Sequence, residues 1–135
     1  MTKRRTGDPW MSGAAYGRAM PTFTVNLIVA DIGRSLRFYT DVLGAETHYA
    51  DEDFAALRLA GLEFILHADH TYDGHPLYAR LGESGRRGAG AELRLVGVDP
   101  DEVEQRARSS GADVVQEAGD RGHAWRDDMV ADPDG

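Results

Sequence analysis

The sequence of 135 residues has no cysteine, a single lysine (Lys3) and no long apolar run. The absence of cysteine excludes disulfides, thiolate metal sites and thiol catalysis. No apolar stretch approaches the roughly 18 residues needed to cross a bilayer, so we expect no membrane partner. Asp and Glu outnumber Lys and Arg by 23 to 15, giving a net charge of −8, which argues against nucleic acid as a partner.

Residues 1–20 are rich in Gly, Ala and Arg, which predicts a flexible N-terminal extension. The segment lacks the apolar centre of a secretory signal, and we expect a cytoplasmic protein. Alternatively, the extension docks on the acidic body of the protein through Trp10 and Tyr16. Residues 21–135 have the length of a single domain.

The sequence after residue 20 contains a pattern that occurs twice. In the first copy, residues 22–29 are rich in β-branched side chains and predict a strand. Asp31 is placed to cap a helix, and Gly44 is placed to end it. Three short segments then predict strands: 46–50, 54–59 and 62–67.

In the second copy, residues 91–98 predict a strand, and a helix begins at Asp99 or Asp101 and ends at Gly111. Segments 113–116 and 124–131 predict further strands. Residues 132–135 (DPDG) are typical of a turn. The next strand would follow Gly135, and we expect a continuation of the chain, the N-terminal extension or a partner chain to supply it.

The repeat predicts an α+β fold of two βαβββ modules, residues 21–72 and 89–135, joined by a polar loop. Residues 25–44 (VNLIVADIGRSLRFYTDVLG) strongly resemble the opening of the vicinal oxygen chelate superfamily, and residues 132–135 resemble the turn before its last strand. That superfamily includes glyoxalase I, bleomycin resistance proteins, fosfomycin resistance enzymes and extradiol dioxygenases. The resemblance implies a curved mixed sheet forming a cup, and a homodimer in which each cup is built from two chains.

Metal enzymes of this superfamily bind a divalent cation through His, Glu or Gln on the first and fourth strands of each module. The resemblance places Thr24, Ile65 and Glu92 at three of these positions, or Arg94 instead of Glu92 if the second helix begins at Asp101. Only Glu92 among them is a metal ligand of the expected type. We therefore expect no metal and no cofactor.

A shift of register would bring Glu63 or His67 to the fourth strand's position in place of Ile65, so a metal-dependent lyase, transferase or dioxygenase is the alternative. Without a metal, the resemblance favours the bleomycin resistance branch, whose members bind a drug in a cleft and do no chemistry. We expect a protein that binds or sequesters an antibiotic-like small molecule. A third possibility is a structural or interaction subunit with no ligand cleft.

The ligands of the bleomycin resistance branch are large, planar and often cationic. An acidic protein would attract a cation, and aromatic side chains would offer stacking surfaces. We expect no catalytic residue. The candidate ligand-binding residues are Thr24, Asn26, Phe38, Phe54, Ile65, His67, Tyr78, Glu92, Trp125 and Arg126. For Phe38, the competing interpretation is that it packs the first helix on the sheet.

Overall fold

The computed structural model describes residues 13–82, 86–122 and 125–135. The helices are α1 (Gly13–Ala19), α2 (Ile32–Arg37), which continues as a π-helical turn (Phe38–Val42), and α3 (Pro100–Ser110). The strands are β1 (Val25–Val29), β2 (Glu46–Ala50), β3 (Phe54–Leu59), β4 (Leu62–Ala68), β5 (Asp113–Arg121) and β6 (Trp125–Ala131). Two 3₁₀ turns, Asp69–Tyr72 and Tyr78–Arg80, lie in the loop between the modules. None of the helices in these described ranges has the length and apolar character to cross a membrane.

The first module is the predicted βαβββ unit. Its four strands form one mixed sheet in the order β1-β4-β3-β2, with β1 parallel to β4 and the other pairs antiparallel. As expected, Asp31 caps α2, and its carboxylate accepts a hydrogen bond from the Arg34 N–H at 2.7 Å. Gly44 follows the π-helical turn with φ +77°, a left-handed conformation that glycine adopts without steric cost.

The main core lies between one face of this sheet and the helices. Strand residues alternate between the two faces, so one set of apolar side chains from β1, β3 and β4 faces the helices. α2 covers this set, while α3 packs against the π-helical turn, β5 and β6 and adds Val103 and Ala107 to the same core. The most buried members of the core are Val29, Val42, Ala55, Leu57, Leu66 and Ala107.

In the second module, α3 begins and ends at residues that the sequence predicts. Asp99 is the N-cap and accepts a hydrogen bond from the Asp101 N–H at 2.9 Å, and Gly111 ends the helix with φ +74°. Val103 and Ala107 face the core as the spacing predicts. The modules meet through the helices, because the Arg106 Nε donates to the Val42 carbonyl at 2.9 Å at the end of the π-helical turn.

The prediction of a strand at residues 91–98 is wrong. This segment pairs with neither sheet among the residues that the structure describes, and Leu93 and Val96 are 58% and 75% exposed. A strand needs a partner edge for its backbone hydrogen bonds, and local β propensity does not supply one. β5 is longer than predicted because it pairs with β6 along a twisted, irregular hairpin up to Arg121.

Candidate functional site

The sheet of the first module has a second face, turned away from α2 and α3, which we call the cup face. It is defined by Asn26 of β1, Ile65 and His67 of β4, Phe54 and Ala56 of β3, and Tyr49 of β2. Strand register brings these side chains together, because Asn26 and Ala56 both lie opposite Ile65, and Phe54 lies opposite His67. Tyr49, Ala56 and Ile65 form a small buried cluster against which Phe54 packs.

A chain of hydrogen bonds runs along one edge of the cup face. The Asn26 amide oxygen lies 2.8 Å from His67 Nδ1, and the Asn26 Nδ2 donates to the Tyr72 hydroxyl at 2.9 Å. The amide oxygen can only accept, so His67 Nδ1 carries the proton and donates it. His67 Nε2 is then left as a lone-pair acceptor. Asn26 therefore fixes both the orientation and the tautomer of His67.

Burial keeps the His67 imidazole neutral. Desolvation lowers the pKa of His67 below its ordinary value of 6.5, since removal from water disfavours the charged ring. Phe54 contributes to that environment, with its ring centroid 5.0 Å from that of His67 in an edge-to-face contact. A neutral imidazole with a fixed acceptor nitrogen suits a ligand group that donates a hydrogen bond.

Aromatic rings surround His67 on both sides. Tyr72 contacts it edge-to-face at 5.8 Å, and His75 packs on the other side of Tyr72 at 5.2 Å. Beyond Phe54, Tyr49 extends the row in a tilted contact, with ring centroids 6.4 Å apart and planes at 37°. Edge-to-face pairs of this kind hold rings in defined orientations and contribute about 0.5–1.5 kcal/mol each beyond their buried area. The cup face thus combines a rigid aromatic wall with one directed polar group.

Helix α1 lies on this same face, within the segment expected to be a flexible extension. The Tyr16 ring meets Phe54 edge-to-face at 5.8 Å. Tyr16 and Met20 pack against the cluster of Tyr49, Ala56 and Ile65. Trp10, the other residue expected to dock, lies outside the described residues.

The residues at the expected metal positions do not fit a cation. The Thr24 hydroxyl donates to the Pro21 carbonyl at 3.2 Å, and Ile65 is an apolar side chain 6% exposed. The Glu92 carboxylate is paired with Arg94 at 2.5 Å. In the parts of the chain that the structure describes, no three His, Asp or Glu side chains are grouped so as to hold a metal ion.

The remaining candidates are not part of the cup face. Phe38 is 6% exposed and packs in the main core, on the opposite side of the sheet. It therefore packs the first helix on the sheet, as the competing interpretation predicts. Tyr78 lies in a 3₁₀ turn of the joining loop, 44% exposed. Trp125 and Arg126 lie on β6, and Arg126 is held by Asp101 at 2.7 Å. Of the ten sequence candidates, the cup face unites Asn26, Phe54, Ile65 and His67.

Sequence reasoning missed two of the residues that complete the site. Tyr72 lies in the polar joining loop, and the hydrogen bond that brings it to Asn26 spans 46 positions. Tyr49 lies on β2, where a register shift between Thr47 and Tyr49 breaks simple alternation. Strand alternation in β4 places His67 and Ile65 on one face, and this signal is local.

The comparisons with known proteins agree with this fold. The sequence pattern of the glyoxalase-like domain matches residues 22–135. Among proteins with curated descriptions, none matches the chain. A glyoxalase-related enzyme from Fulvimarina pelagi superposes with a TM-score of 0.65 at 20% identity, covering 85% of this chain and 82% of that one.

Two further solved structures have similar folds. One is a glyoxalase/bleomycin resistance protein/dioxygenase family enzyme from Burkholderia phytofirmans PsJN, with a TM-score of 0.61 at 19% identity over 82% of this chain and 88% of that one. The other is the fosfomycin resistance protein FosX from Listeria monocytogenes, with a TM-score of 0.60 at 18% identity over 85% and 86%. At these identities the likeness concerns the fold, on which many functions are found.

Proposed function

Because the chain belongs to the glyoxalase-like domain family, we propose that it binds a small organic molecule on the cup face without using a metal. The hydrogen-bond chain from Tyr72 through Asn26 to His67 carries the proposal. It leaves His67 Nε2 as an oriented acceptor inside an aromatic wall. Such a combination of apolar surface and one or two placed polar groups is typical of ligand sites.

The chemistry of the face indicates the kind of ligand. Phe54, Tyr49 and Tyr72 favour a planar, aromatic molecule, and His67 Nε2 favours a donor such as a hydroxyl, an amide N–H or a protonated amine. The net charge of −8 favours the approach of a cation. A planar, antibiotic-like compound with a donor group meets these requirements.

The side chains at the three expected metal positions support a role that does not use a metal. The resemblance assigns ligand positions to Thr24, Ile65 and Glu92, whose side chains are a neutral hydroxyl, an apolar group and a carboxylate paired with Arg94. Elemental analysis of the purified protein tests this part of the proposal. We expect no stoichiometric nickel, zinc, manganese or iron, and a stoichiometric metal lost in Glu92→Ala would contradict it.

Ligand binding is tested by NMR on protein with ¹⁵N-labelled histidine. 9-Aminoacridine is a suitable planar cationic probe, and acridine is its neutral counterpart. We expect 9-aminoacridine to shift the His67 Nε2 resonance. We expect it to bind at least about tenfold more weakly to His67→Leu, because this variant loses one hydrogen bond near a charged group. His48→Leu, at an exposed position of β2, is the matched control. Unchanged affinity in His67→Leu would refute the assigned role of His67.

We also propose that the chain forms a homodimer. The segment 91–98 exposes Leu93 and Val96. Exposed apolar side chains next to unpaired backbone favour association with another strand edge. Sedimentation equilibrium is expected to give twice the chain mass of 14.7 kDa. Val96→Glu is expected to shift the population toward monomer, whereas a monomeric wild-type protein would contradict the proposal.

A further inference from the structure

Helix α1 covers part of the surface assigned above to the ligand. Tyr16 inserts its ring beside Phe54 at 5.8 Å, with the two planes at 82°. Met20 packs beside it on the same cluster, and the Met20 N–H donates to the Tyr16 carbonyl at 3.0 Å. An organic ligand that stacked on Phe54 and Ile65 would have to take the place of the Tyr16 ring.

The surroundings of Tyr16 show which chemistry this place accepts. Its ring meets Phe54 edge-to-face and packs against the cluster of Tyr49, Ala56 and Ile65. Glu63 lies on β4 two residues before Ile65, so both side chains are on the same face of the sheet. Burial, and secondarily the negative charge of Glu63, raise the pKa of the Tyr16 phenol above 10.0. An aromatic ring with a neutral or positively charged donor at one end therefore suits the place better than an anion.

We propose that Tyr16 occupies the aryl subsite of the cup face, so that α1 is a displaceable lid and the ligand carries a phenol-like ring. This inference rests on the proposed function, because it assigns the class of ligand and the control of access to the same site. Tyr16 acts as a tethered stand-in for the ligand's aromatic group.

Within the described part of the chain α1 spans seven residues, and an isolated helix of that length is not stable in water. Contacts with the sheet, among them those of Tyr16 and Met20, therefore contribute to holding α1 on the cup face. A tethered group competes with a free ligand at an effective concentration in the millimolar range. The ligand binds only when the lid is open. Its apparent association constant is therefore the intrinsic constant multiplied by the fraction of protein in which the lid is open.

The experiment uses 4-methylphenol, which has the chemical structure of the tyrosine side chain. Its dissociation constant is measured by NMR titration, following the Phe54 ring and Ile65 methyl resonances, in the wild-type full chain, in Tyr16→Ala and in Arg18→Ala. Arg18 is an exposed residue of the same helix and is the matched control. We expect Tyr16→Ala to bind 4-methylphenol at least about tenfold more tightly than the wild type and Arg18→Ala, as for a lid closed nine-tenths of the time.

Equal affinities in the wild type and a folded Tyr16→Ala protein would overturn the lid. Toluene, which lacks the hydroxyl, is expected to bind Tyr16→Ala several-fold more weakly than 4-methylphenol. Equal binding of toluene would overturn the phenol-like assignment. Suppose that 9-aminoacridine binds the wild type through His67 and that Tyr16→Ala changes the affinity for neither 9-aminoacridine nor 4-methylphenol. The lid proposal then fails and the proposed function stands. If neither probe binds any variant, the proposed function fails with it.

Discussion

The carboxylate of Asp134 accepts a hydrogen bond from the Ala30 N–H at 3.2 Å, across 104 positions of the sequence. The same oxygen accepts from the Arg34 guanidinium at 3.2 Å, and the second oxygen accepts from the hydroxyl of the fully buried Ser35 at 3.5 Å. Asp134 thereby places a negative charge at the N-terminus of α2, where the helix dipole stabilises it. The turn that ends the described chain is thus attached to the first module.

Asp134→Asn is expected to lower the free energy of unfolding by about 1–3 kcal/mol, because a side chain only 8% exposed loses its charge and part of its acceptor capacity. Urea denaturation followed by circular dichroism measures the change. Asp73→Asn, in an exposed turn, is the control and is expected to shift stability by less than about 0.5 kcal/mol. A similar small loss in Asp134→Asn would contradict the structural role of this carboxylate.

The neighbouring Asp132 has a comparable link to the first module. The Tyr39 hydroxyl donates to its carboxylate at 2.7 Å, in the core beneath the sheet. Burial, and secondarily the negative charge of Asp132, raise the pKa of Tyr39 above its ordinary value of 10.0. The folded protein therefore keeps this phenol protonated at a pH at which the unfolded chain has lost the proton.

Tyr39→Phe is expected to cost about 1–3 kcal/mol near neutral pH, since it leaves the Asp132 carboxylate without that donor. The sign of the alkaline effect follows from linkage: above pH 10 the unfolded state binds fewer protons, so wild-type stability falls as pH rises. Denaturation curves at pH 8 and above are expected to show a shallower alkaline loss in Tyr39→Phe. The exposed Tyr78→Phe serves as the control, and an equal slope in both variants would count against the assignment.

Arg87 joins the loop between the modules to the first sheet. Its guanidinium binds both oxygens of Asp69, at 2.6 and 2.7 Å, and donates to the Ile28 carbonyl at 3.3 Å. Lysine cannot reproduce this forked geometry. We expect Arg87→Lys to lower the free energy of unfolding by about 1–2 kcal/mol, measured in urea. Arg80→Lys, on the exposed 3₁₀ turn, is expected to leave it unchanged, and equal effects in the two variants would refute the role of the fork.

The sequence predicts those features whose causes are local. Asp31 and Asp99 each cap a helix by accepting a hydrogen bond from an N–H group within three residues. Gly44 and Gly111 follow the helical segments and adopt left-handed conformations. The prediction of a strand at residues 91–98 is wrong because its cause is not local. A strand there would need a partner edge that lies elsewhere in the fold. Asn26 and His67 are among the ligand-binding candidates named from the sequence, and strand alternation and register place both on the cup face.

Tyr72 and Tyr16 show why the rest of the site was not assigned from the sequence. Tyr72 reaches Asn26 only because the joining loop folds back over β1. The sequence indicates Tyr16 as one of two residues by which the extension could dock, but no local signal predicts that it contacts Phe54. Contacts of this kind depend on the tertiary fold, which propensity does not encode.

The lowered pKa of His67 predicts how the free energy of unfolding changes at acidic pH. Desolvation puts the pKa of His67 below 6.5 in the folded protein, so the unfolded state binds more protons as pH falls. The free energy of unfolding should therefore decrease as pH falls below 6.5 and level off below the folded-state pKa of His67. His67→Gln cannot titrate, and its amide still has a donor for the Asn26 oxygen. Urea denaturation between pH 7 and pH 5 is expected to show a smaller loss in His67→Gln than in the wild type or in the exposed His48→Gln. An unchanged slope in His67→Gln would show that His67 takes up protons equally in the folded and unfolded states, which would contradict the prediction.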